Sequence, residues 1–364
     1  MCSCTAQRVG SGPPSSNSEH LTDFDFTALL LPATVPRLHA MARWRIVKHV
    51  PESEHLMSDK PGFSGRPRKD FSWTRPSADS PELSGQRVAV VGGTGGLGRA
   101  LALRLASRGA QVIVVGQTFR DQGVAGISFV KADLSLMSEA RRVGRELPAE
   151  NLDLVVLTTG IFAAPVRQET QEALERDLAV SYLSRLALLR ELAPRLGKAR
   201  QAAGTKPRVF VMGFPGTNEA GNPDDLNAEQ GYDAMPVHMN TVAGNEALVL
   251  DSAERYPGVD FFGLNPGLVK TNIRANFLGD GSIKHRVVEF LIGVFSMTAE
   301  KYAQRTFPLL VSPDLEGRSP AMFNQKGLAI EASAVMTSDY VKRFIRASES
   351  LIDRATSRSD GPRP

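Results

Sequence analysis

Cysteine is nearly absent: the 364 residues hold two, Cys2 and Cys4, both at the extreme N-terminus. No disulfide framework can form in the body, so a reducing compartment, taken as the cytoplasm, is expected. "MCSC" reads as an incidental terminus rather than a lipidation site. No His/Cys cluster has ligand spacing, so no metal site is expected. No apolar stretch approaches ~18 residues, which excludes a spanning helix. The nearest, "VVEFLIGVFSM" at 287–297, is interrupted by Glu289. A signal peptide is missing too: Glu19, Asp23 and Asp25 precede "FTALLLPA" where a basic segment would stand. Net charge is only +4, and the longest basic run is "RPRK" at 66–69. Nucleic acid needs a concentrated basic face, so it is not an expected partner.

Residues 1–84 are rich in Ser, Pro and Gly ("GSGPPSSNS", "DKPGFSGRPRK"). Such a composition buries too little apolar surface to offset ordering entropy, so a largely extended or disordered arm is expected. "PRLHAMARWRIVKHV" reads as a solvated segment, with a short basic helix as the alternative, and Met41 offers a second start.

From residue 85 the pattern changes. "RVAVVGG", "AQVIVVG", "ISFVKADL", "LDLVVLTTG", "PRVFVMG" and "VDFFGLNPG" are short apolar, β-branched or aromatic runs, and helical stretches such as "LGRALALRLASRG" and "SEARRVGREL" lie between them. Strands alternating with helices predict one α/β domain over 85–335, a Rossmann-type doubly wound parallel sheet of six or seven strands. A last helix at 338–354, within the C-terminal segment 336–364, should pack on its edge.

"VVGGTGGLGRA" (90–100) follows the first strand and opens the first helix. In that context the glycines predict a diphosphate cradle: Gly92 for the tight turn, Gly96 for close approach of phosphate to backbone N–H, Gly98 for helix–strand packing. Thr94, Gly95 and Leu97 complete the turn.

With this spacing the chain resembles the short-chain dehydrogenase/reductase family over about 86–335. Other landmarks follow in order. Asp133-Leu134 matches the family's adenine-contacting position. "LTTG" (157–160) stands where the family has Asn-Asn-Ala-Gly and keeps Gly160. "NPGLVKTN" (265–272) matches its Pro-Gly-x-x-x-Thr segment, so Pro266, Gly267 and Thr271 would line the nicotinamide. The insert at 224–232 and "LLVSPDLEGRSPAMFN" further resemble the retinol-dehydrogenase-like branch. The resemblance implies hydride transfer with NAD(P), and a homodimer. At the end of strand two, "VVGQTFRD" puts no carboxylate at Gly116 or Gln117 to grip a ribose 2′-OH. Arg99 and Arg120 stand nearby, and an arginine pair can fork onto a 2′-phosphate, so NADP is favoured over NAD. Each arginine alone is equally readable as exposed surface.

The family's Asn, Ser, Tyr and Lys are all replaced. It keeps its Lys about two dozen residues before the Pro-Gly pair. Counting 24 back from Pro266 reaches Val242, which puts His238 at the Tyr position. A second register puts Thr241 and Asn245 there, with a tighter loop. The Ser position falls on Gly213 or Phe214, with Thr217 the nearest hydroxyl, and Ser181 stands at the Asn position beside Tyr182. Two functions follow. One is an NADP-dependent oxidoreductase with a non-standard proton donor, His238, because an imidazole titrates near ~6.5 without a lysine's help. Ser181 would sit in the relay, and Tyr232 and Tyr182 would be reserve donors. His238 could equally be a packed histidine at a helix start. The other function is a catalytically silent NAD(P)-binding sensor or scaffold. The apolar content of 273–297, after strand six, suggests a lipophilic substrate or a membrane-facing lid, and an ordinary amphipathic helix closing the core is the plainer reading of the same residues.

Overall fold

A computed structural model of the chain describes residues 65–77, 82–200, 204–267 and 297–359. The rest, including most of the expected arm, Thr271 and nearly all of 273–297, lie outside the described residues.

All six predicted strands form: β1 Arg87–Val91, β2 Gln111–Gly116, β3 Ile127–Lys131, β4 Leu154–Leu157, β5 Arg208–Met212 and β6 Asp260–Leu264. Two short strands follow, β7 Ala321–Phe323 and β8 Ala329–Ile330. The order is β3-β2-β1-β4-β5-β6-β7-β8, parallel except for the β7–β8 pair. The order reverses between β1 and β4, so a crevice opens at their carboxyl ends, as in other open parallel sheets.

Period-two alternation sorts the strand side chains onto two faces. Val88, Val90, Val112, Val114, Phe210 and Phe262 pack under α1 (Gly96–Ala106) and α5 (Ala299–Val311). Ala89, Val91, Val155, Leu157, Val209 and Phe261 face the other side. There α2 (Met137–Glu146), α3 (176–192) and α4 (Ala234–Arg255) cover them. Helix α3 is continuous through three stretches: Arg176–Leu178, a π-helical turn Ala179–Leu183, and Ser184–Leu192.

One expectation needs correction. The last helix, α6 (Ser338–Ser359), does not cap a sheet edge. It lies across the second helical face, where Phe344 and Ile345 join the core and Tyr182 donates a hydrogen bond of 2.8 Å to Ser348. Within the expected arm, residues 65–77 form a docked, extended strap. Pro67 bridges Ile330, Arg68 N–H donates to Ala329 O at 2.9 Å, and Glu331 N–H donates to Arg66 O at 2.8 Å. This strap pairs the exposed edge of β8, a position that would otherwise invite intermolecular pairing. Phe71 anchors it, edge-on to Phe323 at 5.4 Å with the Arg318 guanidinium 3.6 Å over its ring, while Trp73 Nε1 donates to Gly327 O at 2.7 Å. Composition hid the strap because two aromatics in a Ser/Pro-rich stretch are enough to dock it.

Phe71→Ala removes a ring that is 7% exposed. The expected loss is about 3 kcal/mol of unfolding free energy, read from the shift of the denaturant midpoint at unchanged slope. A shift under about 0.5 kcal/mol would show the strap to be incidental.

Candidate active site

The glycine corner is built as its spacing requires. Gly92 has φ +88, and a Cβ there would lie 2.5 Å from Thr159 N. A Cβ at Gly98 would meet Gly92 O at 2.5 Å and collide with Thr158 Oγ1. Gly95, the N-cap of α1, faces open space: nothing lies within 4 Å of its would-be Cβ. No side chain caps α1 and no acidic residue stands in its first turn. Its first N–H groups and dipole therefore suit an anion, and the corner fits a diphosphate. Thr94 packs against Gly116 at the end of β2, where any Cβ on residue 116 would displace it.

Around that corner the predicted contacts separate. Asp133 is held below the ordinary carboxylate range. Burial opposes this, but hydrogen bonds from the Ser135 N–H and hydroxyl, a Gln117 contact and the Arg176 charge outweigh it. Leu134 is buried beneath it. Arg99 and Arg120 do not form a pair. Arg99 forks onto Asp121, Nε to Oδ2 at 2.9 Å and Nη2 to Oδ1 at 2.5 Å, and this bond raises its pKa. Arg120 is exposed, with no ion partner among the described residues. Gly160 and Pro266 are half-buried after β4 and β6. Gly267 turns at φ +66, its N–H donating to Asn265 Oδ1 at 2.9 Å.

Helix α4 starts where its sequence directs. Asp233 caps it by accepting from Met235 N–H, and Pro236 sits in the first turn, where its missing N–H costs nothing. His238 follows one turn later. Its Nδ1 lies 2.6 Å from Asp177 Oδ2, and its ring stacks on Phe162 with centroids 4.1 Å apart. A carboxylate can only accept, so Nδ1 carries the proton and Nε2 is the ring's working edge. Asp177 has no exposed side-chain surface and also accepts from Ser181 Oγ at 2.5 Å. Ser181 lies in the π-turn of α3, a distortion common at functional sites. Thr241 and Asn245, the second register, are buried and bond inward, Thr241 Oγ1 to His238 O at 2.8 Å and Asn245 Nδ2 to Ser181 O at 2.9 Å. His238 is the member of the two registers that keeps a partly open side chain.

The reserve donors are otherwise engaged. Tyr182 is fully buried against α6, and burial raises its pKa. Tyr232 donates its hydroxyl to Ala164 O at 2.6 Å, and burial together with the Glu175 and Asp177 charges pushes it up to about 12. Thr217 Oγ1 closes a local turn on Phe214 O at 3.0 Å. No group of acidic, His and Cys residues fit for a metal occurs among the described residues, and no helix among them is long and apolar enough to cross a membrane.

Sequence reasoning missed Asp177 and Arg185. Arg185, 3% exposed, donates to the carbonyls of Thr159 and Met212, to Asn245 Oδ1 at 2.7 Å and to Thr159 Oγ1 at 3.4 Å. The available signal was "DLAVSYLSRLALL", where Asp177, Ser181 and Arg185 recur every four residues in an otherwise apolar helix.

Known proteins share this frame. The family described as short chain dehydrogenase matches residues 86–205. An uncharacterised oxidoreductase of Saccharomyces cerevisiae is 49% identical over 288 residues, covering 78% of this chain and 93% of its own. Retinol dehydrogenase 14 of Homo sapiens is 27% identical over 277 residues, 68% of this chain and 81% of its own. The crystal structure of a short chain dehydrogenase from Salmonella enterica superposes with a TM-score of 0.51 at 18% identity, covering 70% of this chain and 100% of that one, a likeness of fold.

Gly98→Ala forces a methyl into Thr158 and the Gly92 carbonyl. Loss of nicotinamide nucleotide binding is expected, read as the disappearance of fluorescence enhancement on titration with NADH or NADPH, with a melting point lower by several degrees. Binding within about threefold of wild type would show that the corner does not hold the diphosphate.

Proposed function

The chain belongs to the short-chain dehydrogenase/reductase family, NAD(P)-dependent oxidoreductases acting on CH–OH and C=O groups, and on that premise we propose that His238 stands in for the family's tyrosine. The bound nicotinamide supplies or accepts the hydride. In carbonyl reduction His238 Nε2 gives a proton to the carbonyl oxygen as the alcohol forms, and in alcohol oxidation it takes that proton back. Asp177 fixes the tautomer and rotation of the ring and stabilises the positive charge on it, as an orienting carboxylate does elsewhere. Phe162 covers one ring face, which leaves the Nε2 edge for substrate. The single observation behind this reading is the 2.6 Å contact between His238 and the buried Asp177, and the count back from Pro266 supports it by proposing His238 for the tyrosine position.

NADP is proposed over NAD. The end of β2 offers no carboxylate at Gly116, Gln117 or Thr118, and Arg120 is exposed just beyond. Asp121 already neutralises Arg99, so Arg120 is the residue proposed to meet a 2′-phosphate. The substrate is proposed to be lipophilic: Phe162 stacks on the donor, and Val166 and Met235, in the segments tied by the Tyr232–Ala164 bond, are 75% and 45% exposed.

His238→Ala is expected to lower kcat for NADPH oxidation, followed at 340 nm against a carbonyl panel, by about 100-fold or more, with NADPH affinity within about threefold. Binding of NADPH by the wild-type chain with no oxidation against any carbonyl would favour a silent nucleotide binder. Arg120→Ala should weaken NADPH by about tenfold and leave NADH unchanged. Equal effects on both nucleotides would remove the argument for NADP.

A further inference from the structure

The Asp177–His238 pair carries a charge problem that the missing lysine would otherwise bear on. Asp177 is wholly buried, and Glu175, two residues before it, is also buried and caps α3 through Leu178 N–H at 2.7 Å. Burial raises Glu175, and Asp177's charge raises it further. Two carboxyl groups in one dry turn need a compensating cation. The nearby Arg167 is bonded to Glu169 and to the Asn227 carbonyl. Tyr232 carries no positive charge, and protonation of His238 is what the chemistry must vary.

Arg185 remains. It has no carboxylate in hydrogen-bonding contact, an unusual state for a buried guanidinium. Burial pushes it down to about 9, and Asp177 is the charge acting against that shift. At neutral pH it is a cation. Its hydrogen bonds tie together the carboxyl ends of β4 (Thr159) and β5 (Met212) and the Asn245 side chain of α4. Asn245 in turn donates to the Ser181 carbonyl, and the Ser181 hydroxyl donates to Asp177. A continuous path therefore runs from Arg185 through Asn245 and Ser181 to Asp177 and His238.

We infer that Arg185 is the fixed cation of this site, a positioning residue that offsets the Asp177 charge from farther along the same helix, α3, and so takes over the electrostatic part of the lysine absent from α4. This rests on the oxidoreductase reading but makes a separate claim: the value of Arg185 lies in its charge, not only in bracing two strand ends.

The full chain with Arg185→Lys, Arg185→Gln, Asp177→Asn and the Gln/Asn double variant tests it. Lysine keeps the charge and loses the fork, whereas glutamine keeps a donor and loses the charge. NADPH oxidation should fall by about tenfold or more in kcat for Arg185→Gln, with the KM for NADPH within about threefold, and by less than about threefold for Arg185→Lys. Glutamine performing as well as lysine would overturn the inference in favour of plain bracing. Thermal melting gives a readout free of turnover. Coupled charges predict that the double variant melts no lower than Arg185→Gln alone, or folds where that single variant does not. Additive losses, or a double variant that also fails to fold, would overturn it. A wild-type chain that oxidises no NADPH would sink the oxidoreductase reading, while the melting cycle still decides the charge pairing.

Discussion

One hydrogen bond, from His238 Nδ1 to a carboxylate with no exposed surface, organises the carboxyl end of this sheet. A histidine alone at the mouth of a helix rotates and samples both tautomers. Bound to Asp177 and stacked on Phe162, it keeps one edge. The contact needs α3 and α4 at one separation and α3 in one rotation. The π-turn at Ala179–Leu183 sets that rotation, and Glu175 and Asp233 fix where the two helices begin. Local capping chemistry thus decides where a proton can be held.

The same strand ends serve the nucleotide corner. Thr158 and Thr159 approach Gly92 and Gly98 so closely that neither glycine can carry a side chain. Thr159 then accepts from Arg185 with its carbonyl and its hydroxyl. Two residues after β4 therefore touch both the glycine corner proposed to hold the diphosphate and the polar network that leads to His238, the proposed donor. They stand where the family keeps its Asn-Asn-Ala-Gly, so a change there should be felt at both ends of a bound dinucleotide.

Much of the frame was legible from pattern alone. Six β-branched runs and a glycine turn between strand and helix suffice for the sheet and the shape of the corner, because period-two burial and positive-φ turns are local constraints. What escaped notice is non-local. The strap at 65–77 depends on Phe71 finding Phe323 some 250 residues away, and no local propensity encodes that. Helix α6 was expected at an edge, but Tyr182 and Phe344 draw it onto the helical face. Asp177 was invisible because a family template marks only Ser181 on that helix, and its importance comes from a partner 61 residues on. Arg99 looked like half of a phosphate clamp until the loop after β2 brought Asp121 to it.

The most direct test is a crystal structure of the chain with NADP bound. The account predicts the diphosphate on the α1 N-terminus and the nicotinamide C4 beside His238 Nε2, close enough for one carbonyl group to touch both, with the Asp177 bond intact. A nicotinamide facing any other proton donor, or His238 turned away from Asp177, would contradict it.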